Sequence, residues 1–583
     1  MATTNEITLH GIAAAPGIVI GRAFVYKKHI PRIEEKAIPL EDVKKEIERL
    51  RNAVIRSEKE LQKILSFAEQ KIGNSKAKIF EAQIMILNDA VLFDSIYKRI
   101  EKERKNAESV VHGEITKYQQ LMLNSSDEYM RERAHDVEDI KNRIIRNIQE
   151  QKLISRFEGG SIVVSQSLTP ADTILFSRND ILGYATDMGG VTSHAALLSR
   201  SLKIPAVVGL KDITSHVVPD DFMILDGYAG VIVINPAEET IANYKRRSKE
   251  MSKFEHRLNE LRDLPAVTSD GKEIELSSNI EFAEEMRFTK SQGSHGVGLY
   301  RAEGLLIGRD TFPSEEEQYR EYKSIAEKVF PNKVIMRTFD IGGDKVISQS
   351  YEEENPFLGW RGIRVALDRP ETFITQMRAI LRASTKKNIW VMFPMISSLR
   401  EVRKAKELVA QAKASLRAEK LSFDDGLKIG VMIEVPSAAV LAGEIAKEVD
   451  FLSIGTNDLI QYLLAVDRGN DIVSQLYQEF EPSVLRTIRH IIKEAHKNKI
   501  PVGMCGEMAG EPVATVLLVG LGLDEFSVIP TVLPEIKKII RSVTVKEAQK
   551  IAAKALTFST VEEVKEFLTA NLKRLSPDIP LPE

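Results

Sequence analysis

The sequence predicts a multidomain α/β protein: a small α/β domain interrupted by an inserted helical bundle, followed by a C-terminal (β/α)8 TIM barrel. Three observations carry this. Extended, glycine-rich runs at the start share their texture with short β-rich runs beyond residue 160. Between the two lies a long segment whose apolar residues recur at helical spacing. The last part offers eight apolar strand candidates in series, mostly alternating with helical stretches, as a barrel of eight β/α units requires.

The opening HGIAAAPGIVIG places residues 1–21 in the first segment of the α/β domain. Val43, Ile47, Leu50, Val54, Leu61 and Ile64 then fall three and four apart with Lys and Glu on the other face, an amphipathic helix. Similar patterns run through KIFEAQIMILNDAVLFDSIYKRI and RAHDVEDIKNRIIRNIQEQ, so 22–148 reads as the inserted bundle. GSIVVSQSLTP, NDILGYATDMGG, IPAVVGL and DFMILDGYAGVIVINP, divided by Gly, Pro and Asp, return the chain to the α/β domain over 149–235. The charged, helical 236–265 has little apolar stripe and reads as a linker helix. From 266 to 583, IELSSN, HGVGLYR, KVIMRT, IWVMFP, KIGVMIE, FLSIG, PVGMCGE and DEFSVI are the barrel strands.

A net charge of -3 from 81 basic and 84 acidic side chains gives no electrostatic reason to expect nucleic acid or an anionic membrane as partner. No apolar run approaches the ~20 residues of a membrane span, and the start MATTNEITLHG has neither the basic nor the apolar region of a secretory signal, so a cytoplasmic location without membrane insertion is expected. A single cysteine, Cys505, excludes an internal disulfide and a multi-cysteine zinc site.

Polar residues follow the strand candidates: Asn279, Arg301, Arg337, Glu434, Asn457 with Asp458, Cys505 and Ser527. That is the end of a barrel where active sites are built. Glu434 and Asp458 are two hard carboxylates at neighbouring strand ends, suited to Mg2+ or Mn2+, or else solvated strand-end acids. Arg301, Arg337, Arg361 and Arg468, with Lys345, bring cations to the same rim, where guanidinium forks would grip phosphate and carboxylate of a small polyanion. Cys505, between glycines that would let substrate approach, is either a small apolar filler or a group that exchanges a proton with carbon. In GGVTSHAALLSR, His194 stands where a Gly-Gly turn gives way to a helix, and a helix start favours negative charge such as phosphate. The imidazole is either a satisfied structural residue or a nucleophile toward a phosphoryl group, with the Thr169 hydroxyl as a hydrogen-bond donor to the phosphohistidine.

The strings GIAAAPGIVIG, GG-x-TSH, GVGLYRAE, RTFDIGGDK, ENPFLGWRGIR, IGTNDLIQYLLAVDRGN and GMCGE together resemble enzyme I of the bacterial phosphoenolpyruvate:sugar phosphotransferase system, over essentially the whole chain. The resemblance implies a phosphohistidine swivelling domain with an inserted domain that docks the carrier protein HPr. It also implies a C-terminal barrel that binds phosphoenolpyruvate and Mg2+ and forms a homodimer. By motif, His194 matches the phosphorylated histidine, Arg301, Arg337 and Arg468 the phosphoenolpyruvate ligands, and Asn457 a substrate contact. Glu434 and Asp458 match the metal ligands, and Cys505 the acid that protonates the enolate. The histidine must meet both barrel and carrier, so its domain is expected to swing about the linker.

The chain departs from the pattern in places. Val191 stands where enzyme I usually has Arg, and Ala195 where it has Thr. Ala302, Gly304 and Gly308 replace bulkier residues and are expected to loosen the loop after the second barrel strand. The insertion keeps Phe80 and Met85 but has fewer acids than familiar HPr-docking surfaces, which weakens steering toward a basic partner.

Overall fold

The structure is a computed structural model that describes residues 6–26, 33–72, 80, 83–123, 128–150, 159–178, 180–190, 194–283, 285–306, 311–342, 355–468, 470 and 472–579. The chain divides into two compact units, parting between Ser252 and Lys253.

The first unit holds an eight-stranded mixed sheet. The opening segment supplies β1 (Ile7–His10), β2 (Ile12–Ala15) and β3 (Ile18–Val25), and the later one β4 (Ser161–Ser165), β5 (Gly183–Thr186), β6 (Ala206–Val208), β7 (Phe222–Asp226) and β8 (Val231–Ile234). The order is β1-β8-β7-β3-β4-β5-β6-β2, so the two segments interleave in one sheet. β3 runs four residues past the expected junction at residue 21, because Arg22 to Val25 pair in parallel with Ser161 to Val164. Alternation explains the pairing: Ala23 packs into one apolar layer with Ile162, Val164 and Leu225, while Phe24 lies on the opposite face against Phe176 and Val163.

Between β3 and β4 the helices Val43–Ile72, Ala90–Glu103, Ala107–Leu123 and Glu128–Ile148 build the inserted bundle. Leu50, Leu61, Ile64, Phe80, Ile96, Val111 and Ile144 are in its core, and so are Ala171, Ile174 and Leu198 from helices of the α/β domain. The helix Pro170–Phe176 and the helix that His194 opens, His194–Leu202, therefore share apolar packing with the insert. Of the two insert residues singled out in the sequence, Phe80 is core at 0 % exposure, whereas Met85 is 74 % exposed.

The helix Glu238–Leu261 leaves the sheet; its Arg247 Nη1 lies 2.9 Å from the fully buried Asp226 carboxylate at the end of β7. The second unit is a closed barrel of eight parallel strands. They are β9 (Glu275–Ile280), β10 (Val297–Arg301), β11 (Val334–Arg337), β12 (Ile389–Phe393), β13 (Lys428–Ile433), β14 (Phe451–Ile454), β15 (Val502–Met504) and β16 (Glu525–Val528), closing through Phe526 paired with Leu276. All are the apolar runs expected, and helices lie between successive strands, as the crossovers between parallel neighbours need. In the described part of the segment after β10, Ala302 is buried, and a side chain on Gly304 would come within 2.9 Å of Phe282 Cε1 and 3.0 Å of Glu281 Cγ. Gly308 lies outside the described residues. Among the described residues no helix is long and apolar enough to cross a membrane.

Candidate active site

Charged side chains converge at the C-terminal ends of the barrel strands. Arg337 is the last residue of β11; its Nη2 lies 3.2 Å from Glu303 Oε2 and its Nη1 3.2 Å from Asp340 Oδ2. Asp340 is held in turn by its own amide, which donates to Glu303 Oε1 at 2.6 Å. Arg361 forks twice. Its Nε and Nη2 reach the two Asp340 oxygens at 3.0 and 2.9 Å, and its Nη1 and Nη2 reach the two Asp458 oxygens at 3.0 Å each. Tyr462 joins the network, its hydroxyl 3.3 Å from Arg361 Nη1.

Glu434 follows β13 directly and is 1 % exposed. Its Oε1 accepts from the Met395 amide at 2.5 Å. Met395 has φ of 56°, a left-handed conformation that costs a non-glycine residue roughly 1–2 kcal/mol and here turns its N–H toward the carboxylate. Burial, then the neighbouring Asp458 and Asp340, push Glu434 up to about 8 against the opposing pull of Arg337 and Arg361. Burial works against the charge of Arg337, but Glu303, Asp340 and Glu434 outweigh it and hold its pKa above the ordinary value. Among the described residues four carboxylates thus face two guanidiniums in this network, which when fully ionised is two negative charges out of balance.

A second cluster lies on the loops after β14 and β15. Asn457 and Asp458 sit in the first turn of the helix Thr456–Leu464. Asn457 Nδ2 donates to Glu507 Oε1 at 2.8 Å, and the Glu507 amide donates to Asn457 Oδ1 at 2.7 Å. Arg468 Nη1 is 3.6 Å from the same Glu507 oxygen. Arg301 closes β10 with its side chain exposed.

Cys505 is the residue after β15, buried beside Leu299 and Met432. Burial pushes its thiol up to about 11; a hydrogen bond from Ser453 lowers it, Glu434 raises it, and Arg337 and Arg301 lower it. Asn279 Nδ2 donates to the Cys505 carbonyl at 3.0 Å, and Ser527 Oγ to Asn279 Oδ1 at 2.6 Å, which ties the ends of β9, β15 and β16 together. The glycine after Cys505 has a packing reason: a Cβ on Gly506 would fall 1.9 Å from Thr456 Oγ1. It admits the start of the neighbouring helix.

The structure thus brings Arg337, Arg361, Glu434 and Asp458 into one network and Asn457 and Arg468 into another. Lys345 lies outside the described residues. His194 and Thr169 belong to the other unit. Thr169 caps the helix Pro170–Phe176, its Oγ1 accepting from the Asp172 amide at 3.1 Å, which leaves the hydroxyl proton to donate elsewhere. Sequence reasoning missed Glu303, Asp340, Ser453, Tyr462 and Glu507. Glu303 and Asp340 stand two and three residues past the strand-end Arg301 and Arg337, a position that ordinary turn acids share. Among the described residues no three His, Cys, Asp or Glu side chains are gathered to hold a metal by themselves.

Three family models match the chain in order: PEP-utilising enzyme, N-terminal, over 10–133; PEP-utilising enzyme, mobile domain, over 157–230; and PEP-utilising enzyme, PEP-binding domain, over 255–545. The phosphoenolpyruvate-protein phosphotransferase of Geobacillus stearothermophilus is 41% identical over 571 residues, 97% of this chain and 98% of that one. The chain belongs to the phosphoenolpyruvate-protein phosphotransferase family. The phosphotransferase of that name from Listeria monocytogenes is 41% identical over 96% of this chain and 98% of its own. That of Buchnera aphidicola subsp. Schizaphis graminum is 42% identical over 96% and 99%. As a phosphoenolpyruvate-protein phosphotransferase, the chain is an enzyme that moves a phosphoryl group from phosphoenolpyruvate to protein.

Proposed function

We propose that the chain phosphorylates itself on His194 from phosphoenolpyruvate bound at the barrel mouth, releases pyruvate, and passes the phosphoryl group to a histidine of an HPr-type carrier, so driving sugar uptake and phosphorylation in the cytoplasm. The observation that carries this reading is the doubly forked Arg361 between Asp340 and Asp458, beside Arg337 and the buried Glu434. It is a pre-set array of charge at the end of the barrel where substrate binds.

The fit of a divalent cation rests on the charge imbalance of that array. A 2+ ion neutralises the two excess negative charges, and Glu434 and Asp458 are the hard oxygen ligands that would hold it, with water and substrate oxygens completing its shell. Mg2+, or Mn2+ in its place, would supply charge neutralisation at the phosphoryl oxygens.

The chain's own residues do the rest. Arg301, Arg337 and Arg468, supported by Arg361 and Lys345, hold the phosphate and carboxylate of phosphoenolpyruvate, and Asn457 contacts it. The imidazole of His194 attacks phosphorus in line, and the bond from phosphorus to the enol oxygen breaks. Cys505 gives the resulting enolate a proton at carbon, which makes pyruvate the product. The Thr169 hydroxyl then supports the phosphohistidine. The domain carrying it swings about the helix Glu238–Leu261 between the barrel and a carrier docked on the helical insert, where Met85 and Val91 offer exposed apolar contacts. The barrel unit is the dimerisation domain.

Incubation of the full chain with labelled phosphoenolpyruvate, Mg2+ and an HPr-type protein tests this. Acid-labile label should appear on the chain and move to the carrier, and His194→Ala should take up none. Label persisting on that variant overturns the reading.

A further inference from the structure

Ser453 lies on β14 and is 3 % exposed. Its Oγ donates to Cys505 Sγ at 3.3 Å, and that sulfur lies 3.8 Å from the Ile454 carbonyl, which can take the thiol proton. Strand register makes the contact: β14 and β15 pair in parallel with Ser453 opposite Gly503 and Ile454 opposite Met504. Cys505, one residue beyond the pairing, folds its thiol back beside Ser453. Ser453 is buried on a strand that pairs it with Met432, and apolar neighbours of that kind give no packing reason for a hydroxyl in place of a methyl group. There is an electronic one, because a hydrogen bond donated to sulfur favours the thiolate over the thiol.

We propose that Ser453 is a positioning residue for the proton donor: its hydroxyl fixes the Cys505 side chain and steadies the thiolate that remains once the proton has left. The inference rests on the reading of Cys505 as the acid. In that step the S–H bond breaks, its proton forms a C–H bond at C3 of the enolate using the C2=C3 π electrons, and the enolate oxygen closes to the C2 carbonyl of pyruvate. The thiolate left behind recovers a proton from solvent. The charged groups acting on it are Glu434, Arg337 and Arg301. Of these the carboxylate disfavours a thiolate and the two guanidiniums favour it, and among the described residues Ser453 is the one that touches the sulfur through a donated hydrogen bond.

The test is exchange of pyruvate methyl hydrogens into heavy water by the full chain with Mg2+, followed by NMR across neutral to alkaline pH. It is expressed as a ratio to label uptake from phosphoenolpyruvate by the same preparation, which corrects for folded fraction. Ser453→Ala should move the rise of exchange with pH upward by about one unit, the size of one hydrogen bond to a charged group, and so lower the ratio about tenfold on the rising part of the profile. Ser453→Thr, which keeps the hydroxyl, should restore both. Cys505 is the only cysteine, so alkylation of the metal-free chain reads the same thiol directly, and it should slow in Ser453→Ala at fixed pH. If Cys505→Ala abolishes exchange while Ser453→Ala matches the wild type in ratio and pH profile, the role of Ser453 is overturned and Cys505 remains the acid. If Ser453→Thr is as impaired as Ser453→Ala, the effect is one of packing and the role is overturned too. If Cys505→Ala exchanges at the wild-type rate, the acid lies elsewhere and both readings fall.

Discussion

Arg361 grips Asp458 with both terminal nitrogens, Nη1 and Nη2 each 3.0 Å from a carboxylate oxygen, while Nε and Nη2 hold Asp340 from the other side. One guanidinium therefore joins the loop after β11 to the helix after β14, and no other residue type has donors enough in one plane to do so. Both sides of the Arg361–Asp458 pair are about nine-tenths buried. Removing the arginine leaves Asp340, Asp458 and Glu434 with Arg337 alone. Arg361→Met should cost about 3 kcal/mol in unfolding free energy, as for other buried pairs that lose one partner. Arg361→Lys, with a point charge in place of a fork, should lose less. Urea unfolding followed by fluorescence of Trp360 and Trp390, the two tryptophans, would measure it in the barrel alone. Unchanged stability of both variants would refute the structural role.

How far the sequence could carry a reader differs between scaffold and site. The eight barrel strands are legible because each is a short apolar run that stops at a turn, and a closed parallel barrel buries both faces of every strand. Arg337, Glu434 and Cys505 are legible for a related reason: each ends or directly follows such a run. Asp340 and Glu303 were not, because an acid two or three residues past a strand is ordinary turn composition until a partner is seen. Arg361, the partner of Asp340, lies 21 positions further along the chain, and Glu303 joins the same network through Arg337 and the Asp340 amide. Helical periodicity found the face of the insert on which Leu50 and Ile64 lie. It could not show that Ile174 and Leu198, from another domain by sequence, complete that core, since period says which face is apolar and never what covers it.

Lys537 is wholly buried, its ammonium donating to the carbonyls of Arg262 at 2.5 Å and Gly293 at 3.1 Å. Each carbonyl lies just past a helix end, Glu238–Leu261 and Glu285–Ser291, so one cation serves two helix C-termini. Burial pulls its pKa down to about 8, with Asp263 resisting and Arg541 assisting. The sign follows from linkage. Between about 8 and the ordinary 10.5 the unfolded chain binds the proton that the folded chain has released, so stability from this group rises with pH across that window. Below it the folded state bears the full cost of a buried charge. Lys537→Met has no such titration. The wild type should therefore gain on the variant, by on the order of 1 kcal/mol, between neutral pH and the upper end of that window. Denaturation at the two pH values checks it, and parallel pH dependence of the two proteins would contradict the assignment.

Glu434→Gln separates stability from activity at the barrel mouth. The folded-state pKa of about 8 lies above the ordinary glutamate value of 4.5, so between those values the folded metal-free chain holds a proton that the unfolded chain has lost. Stability therefore falls as pH rises through that window, and above it the ionised carboxylate opposes Asp458 and Asp340 in full. Glutamine keeps the shape and accepts from the Met395 amide as the carboxylate does, without the charge. The metal-free variant should match the wild type near the lower end of the window and be more stable, by at least about 1 kcal/mol, above pH 8. Mg2+ should reverse the ranking. A ligand that binds only the folded chain raises stability by mass action, so the wild type should gain with added Mg2+ while the variant, lacking one of two carboxylate ligands, should gain little. Label uptake from phosphoenolpyruvate should fall by about a hundredfold or more in the variant, the scale seen when a group holding transition-state charge is removed. Calorimetric melting with and without Mg2+ reads the first two effects. Equal stabilisation of both proteins by the ion would take Glu434 out of the metal site.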